Sequence, residues 1–187
     1  MRHQVSKDLY AYWNRLRGAR AAPDRAHIDP AAIRHILADA FIVEVDADGA
    51  FPLRYSGARI NALWQAEQRG ESFVDLWEEQ SRRSLSAAMT TVSDGAIPVV
   101  AGARTRTSDS ARLDLELLLL PLRHFGKTHA RMLGSLSAPS PADRLGAFCV
   151  DPLELLSMRI VSLTARPGAR MADERARPGP RLVVCNQ

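Results

Sequence analysis

Two carboxylates, two imidazoles and two short glycine motifs are the groupings in this chain whose residue types could do chemistry. Asp114 and Glu116 stand two residues apart. On a strand, where successive side chains alternate, that spacing puts both on one face, as an acid/base pair requires. The solvated side of a strand shows the same pattern, and Arg54 and Arg59 are available to neutralise the pair. His124 and His129 flank a tight hairpin and could offer two imidazoles to a metal or haem. The five histidines of the chain lack HxxxH spacing, however, and surface polarity is the plainer account. Gly70, Glu71 and Ser72 begin a nucleophile elbow, but Val74 stands where its last glycine is needed, which leaves Ser72 as a helix-start residue. Asp46, Asp48 and Gly49 open like a calcium loop, yet no further oxygen ligands or closing glutamate follow. Neither GxGxxG nor GxxxxGKS/T occurs, so no backbone cradle for phosphate is encoded. Cys149 and Cys185 fit no CxxC or Cys/His pattern, which disfavours a zinc site or a disulfide scaffold.

The elements that must position these residues follow from periodicity. Val5, Leu9, Tyr12, Trp13 and Leu16 form one stripe of an amphipathic helix that Gly18 stops. Asp29 before Pro30 pairs an N-cap with the residue best tolerated at the first helical position, predicting a short helix to Leu37. The period then changes from helix to strand. Phe41 to Asp46 and Phe51 to Ser56 read as a hairpin with Asp-Gly turn chemistry, with Phe51, Leu53 and Tyr55 on its buried face. Short helical segments cover 58–65 and 73–77. A longer helix from Glu78 to Ser93 carries Leu85, Ala88, Met89 and Val92 inward and ends at Gly95. Strands follow over 97–107, 112–122 and 130–138. Leu113, Leu115, Leu117 and Leu119 line one face of the second, and Asp114 and Glu116 begin the other. Asp151 with Pro152 repeats the cap-plus-proline signal and predicts a last short helix through Ile160. Strands at both ends with helices between them make an antiparallel α+β arrangement.

The 187 residues suffice for one well-buried domain, and 46% hydrophobic with 25% charged residues is ordinary for a globular chain. No apolar run approaches the ~18 residues of a membrane span, and the amino terminus lacks the apolar region of a secretory signal, so a cytoplasmic location is expected. The net charge of +4 invites a nucleic-acid reading. From residue 163 to 181, though, five arginines face only Asp173 and Glu174, so +3 of that charge belongs to the tail. A folded nucleic-acid-binding face is not supported.

The stretch YWNRLRGARAAPDRAHIDPAAIRHILADAFIVEVD, then FPLRYSGARINALW and RGESFVDLW, resembles the proteobacterial family of small stand-alone PAS proteins, a PAS_5-like domain of unknown function. The resemblance joins the Trp13-Asn14 helix, the Pro23-Asp24-Arg25 turn, the Asp29-Pro30 cap, the Arg54-Tyr55 strand and the Gly70 to Trp77 segment in order, over roughly Val5 to Ala138. It implies a five-stranded antiparallel PAS sheet with helices covering one face, plus the N-terminal amphipathic helix. It also implies a role in sensing or protein contacts, and supplies no cofactor motif. On that basis residues 1–38 are an N-terminal helical extension, 39–139 the PAS-like domain, 140–162 a short C-terminal helix and 163–187 a flexible Arg/Pro/Gly-rich tail.

In such an arrangement Tyr55, Trp64, Trp77, Met89, Leu117 and Met132 converge between the long helix and the sheet. They are the candidates to line a cavity for a small apolar molecule with one or two acceptors that would satisfy the Tyr and Trp donors. Haem and flavin are disfavoured, since no His or Cys falls on these positions. Leu9, Tyr12, Trp13 and Leu16 are the candidate homodimer interface, because a helix outside a small core must bury its stripe against the sheet or a second subunit. The function expected is a sensory or interaction module without its own output domain, acting on a signalling partner. The alternatives are a small enzyme using the sheet-helix cavity, with Asp114 or Glu116 as acid/base, and a nucleic-acid-associated protein working through its basic tail.

Overall fold

In the segment from Leu113 to Leu122, Leu113, Leu115, Leu117 and Leu119 face one way and, beyond Asp114 and Glu116, Leu118, Leu120 and Leu122 the other, so it becomes apolar on both sides. A strand of that kind needs cover on both faces. The computed structural model describes residues 1–46, 49–124, 127–139 and 148–163, with the backbone alone at 124 and 127–130. Within them, β1 (Ala40–Glu44), β2 (Leu53–Ser56), β3 (Val99–Arg106), β4 (Arg112–His124), β5 (Lys127–Ser137) and β6 (Glu154–Ile160) form one sheet. Its order is β2-β1-β5-β4-β3-β6, with every neighbouring pair antiparallel. On one face lie α2 (Ala58–Trp64), a 3-10 turn (Phe73–Leu76) and α3 (Glu79–Gly95). α1 (Gln4–Arg17) and the 22–37 segment cover the other.

That second cover corrects the placement of the homodimer interface on α1. Leu9, Tyr12 and Trp13 are buried against Ile42, Val100, Leu118, Leu120 and Leu133 of the chain's own sheet, with Leu16 packed at the edge of the same cluster. Trp13 is the anchor: its indole N–H donates to the Pro121 carbonyl at 2.8 Å. β3 pairs with β4 only as far as Leu119, so Pro121 lies beyond its end and the N–H that proline lacks costs no ladder bond there. The same side of β4 is then taken by the 22–24 segment, where Arg123 N–H donates to the Pro23 carbonyl at 2.9 Å.

Three further expectations change. The helix predicted from Pro30 to Leu37 is two 3-10 turns, Pro30–Ile33 and Leu37–Asp39. β2 draws the chain away from helix here. Tyr55 donates its hydroxyl to the Leu37 carbonyl at 3.1 Å, and Gly57 approaches the Leu37 and Ala38 carbonyls so closely that any Cβ would overlap them. The second change is the final helix through Ile160, which is the sixth strand. Its composition suits a helix, but β3 presented an unpaired edge, and ladder bonds from 99–104 to 154–160 outweigh local propensity. Third, the Phe51, Leu53, Tyr55 alternation breaks at a bulge. Phe41 pairs Ser56 and Ile42 pairs Tyr55, but Val43 pairs Leu53, leaving Arg54 as the extra residue. The 47–48 turn, the tail from residue 164, and the His124 and His129 side chains lie outside the described residues.

Candidate functional site

The space between α3 and the sheet is where the sequence placed a ligand. Five of the six candidates meet there: Trp77, Met89, Leu117 and Met132 are wholly buried in one cluster, and Trp64 packs at its margin. Tyr55 does not. The β2 bulge turns it to the opposite face, against Leu37 and Ile42, where burial pushes its phenol above the usual value.

An aromatic file runs through the cluster. Phe41 stacks on Phe73 with ring centroids 4.8 Å apart, and Phe73 meets Trp77 edge-on at 6.1 Å. Gly134 opposite β1 is required by this file, because a Cβ there would run into the Phe41 ring. Leu153, just ahead of β6, closes the cluster from the carboxyl-terminal side: its N–H donates to Leu76 O and its carbonyl accepts from Glu78 N–H, both at 2.9 Å. Trp77, although buried completely, has an indole Nε1–H with no hydrogen-bond partner among the described residues. An interior donor left without an acceptor costs about 1–3 kcal/mol.

On the other face, Asp114 and Glu116 share a side as expected, but each carboxylate is engaged. Asp114 takes both Arg104 N–H groups, at 2.6 and 3.1 Å, and that guanidinium holds its carboxyl below the usual range. Arg54 and Arg59 pair instead with Glu44 and Asp39, at 2.9 and 2.5 Å. The Arg104 contact was missed, yet the hairpin register held the signal: pairing counted back from the 107–111 turn sets Arg104 directly across from Asp114. Glu116 is buried and accepts the backbone N–H groups of Arg2 (2.7 Å) and His3 (3.1 Å). Burial raises its carboxyl, and these donors at the start of α1 outweigh burial, so the net direction is down. His3 Nδ1 lies 2.9 Å from the Ser137 carbonyl and so ties the same end of α1 to β5. Among the described residues no three His, Cys, Asp or Glu side chains gather as a metal would need, and no helix is long and apolar enough to cross a membrane. Leu156, Met158 and Ile160 of the edge strand β6, together with Val150, are the large apolar side chains that stand exposed among the described residues.

No curated protein matches the chain. Among solved structures it is similar to an RNA-binding light-oxygen-voltage receptor, at 17% identity and a TM-score of 0.45 over 62% of this chain; the match takes in only 35% of that receptor's length. A PAS domain from Colwellia psychrerythraea is similar at 14% identity and a TM-score of 0.43, with 59% of this chain and 97% of that one covered. The light-state LOV domain of the blue-light photoreceptor Aureochrome1 is similar at 13% and 0.44, covering 61% and 91%. The family model that describes a PAS domain, PAS_5, matches residues 1–137, through α1, both sheet covers and the strands β1 to β5. The chain belongs to the PAS_5 family of PAS domains.

Proposed function

We propose that this chain is a cytoplasmic sensory module that regulates a partner protein in bacterial signalling, and that its signal is a small, mostly apolar molecule held between α3 and the sheet. The observation that carries the reading is the Trp77 indole N–H, wholly buried and without an acceptor among the described residues. A ligand with one acceptor, seated beside Trp77, Met89, Leu117 and Met132, would satisfy that donor within an apolar surround. PAS domains are typically sensory or interaction modules. An acid/base reading of Asp114 and Glu116 is not favoured, because Arg104 and the α1 N–H groups already occupy them.

Met89→Trp tests the reading by urea unfolding and native mass spectrometry. If the interior opens to admit a ligand, the larger side chain should fit at little cost and remove any ligand that the wild type retains. A loss of ~1–3 kcal/mol, with no mass retained by the wild type, would instead mark a solid core between α3 and the sheet and remove that space as the sensory site.

A self-association surface belongs to the same proposal. With the α1 stripe covered, β6 is an edge strand whose outer side has no strand partner among the described residues, and antiparallel pairing of two copies about Ser157 would set Leu156 of each against Met158 of the other.

A further inference from the structure

A cavity of about 250 Å³ opens on the face of the sheet away from α3, beneath the segment that leads from α1 into β1. Its floor is aliphatic: Ile28, Ile33, Ile42 and Leu133 are each at most 8% exposed, and Leu37 packs beside them. Tyr55 forms one wall, turned there by the β2 bulge and held by its hydrogen bond to the Leu37 carbonyl. The polar side chains at the rim are of one kind, the arginines Arg25, Arg54 and Arg69.

The three arginines are not equivalent. Arg54 is committed to Glu44 by two N–H donors, at 2.9 and 3.0 Å, and Glu44 also accepts from Arg131. Arg25 differs: its Nε is buried and has no hydrogen-bond partner among the described residues. The acidic side chains nearest in sequence do not compensate it, since Asp24 caps the Ala26 N–H and Asp29 caps the Ala31 N–H, each at 2.9 Å. Glu67 serves the Asn61 amide and the Arg69 backbone N–H. A buried guanidinium N–H beside an aliphatic floor is answered by a ligand that brings an anionic acceptor on an apolar body.

We infer that this cavity binds a small apolar monocarboxylate, its chain over Ile28, Ile33 and Leu133 and its carboxylate on Arg25, with Arg69 adding charge at the mouth. The volume holds about eight non-hydrogen atoms, at the ~30 Å³ share of one water molecule in the liquid, so an eight-carbon chain fills it with the carboxylate oxygens at the arginine rim. The site is separate from the space between α3 and the sheet and stands whether or not that space takes a ligand.

Octanoate is the probe and octan-1-ol its uncharged control, titrated into the full chain while methyl carbon-13 shifts are read. The Ile28, Ile33 and Leu133 methyls should move in a saturable way below about 10 mM octanoate, with Met89 unmoved, and octan-1-ol should bind at least about tenfold more weakly. Arg25→Gln should lower octanoate affinity about tenfold and abolish the preference over the alcohol, at an unchanged melting temperature. Should that variant melt lower, Arg69→Gln, at the exposed rim, should still narrow the preference. Shifts centred on Met89, equal binding of acid and alcohol, or no saturation in this range would each overturn the assignment, as would full affinity in both arginine variants.

Discussion

Glu116 shows how a side chain's type and its task separate. Its place on β4, one residue from Leu115 and Leu117, is readable from alternation, and so is the side it shares with Asp114. Its task depends on Arg2 and His3, more than a hundred residues earlier, whose N–H groups it accepts. The folded carboxyl lies below its ordinary value of 4.5, so it contributes stability that is complete above that value and is lost as pH falls through the lower folded one. Glu116→Gln should therefore lower the melting temperature most near neutral pH, with the gap to wild type closing in acid. A gap that stays constant down to about pH 3 would mean that the α1 terminus is held by something other than this carboxylate.

At the scale of elements, helix ends and strand edges carry most of the departures from periodicity. α3 runs past its expected stop, through Gly95, and it is Ala96 that takes the left-handed conformation, at φ 50° and ψ 36°. A Cβ there costs roughly 1 kcal/mol, which glycine would not bear. Ala96→Gly should raise the free energy of unfolding by about 0.5–1 kcal/mol in urea with the slope unchanged, allowing for the freer unfolded chain. β6 shows the converse, a segment of good helix formers drawn into a sheet. Ser81 Oγ accepts the Leu155 N–H at 3.0 Å, so α3 also fixes where that strand begins.

For the molecule as a whole, two apolar layers on one sheet replace the single layer that a five-stranded core with helices on one face would have. Trp13→Glu should then behave as a core substitution. The charge would face Leu118 and Leu120, and the Pro121 carbonyl would lose its donor, so a loss beyond about 4 kcal/mol is expected, read by denaturant unfolding. A folded protein of altered sedimentation would return the α1 stripe to an interface. Self-association should instead respond to Met158→Glu with Ile160→Glu, which leave both layers intact and should give a folded monomer by analytical ultracentrifugation.

The sequence by itself determined the helix stripes, the alternation of β4 and β5, the family resemblance and five of the six residues gathered under α3. Those features are local, since a period of 3.6 or 2 selects the same face wherever the element ends up. Tertiary structure decided what lay across from each face. The β2 bulge moved Tyr55 from one layer to the other, because one unpaired residue reverses every side chain beyond it. The free edge of β3 made a strand of 154–160, and the bare back of the sheet claimed the α1 stripe before a second subunit could. Each outcome turned on a partner distant in sequence, whose hydrogen bonds and apolar area outweigh the fractions of a kcal/mol that separate local propensities.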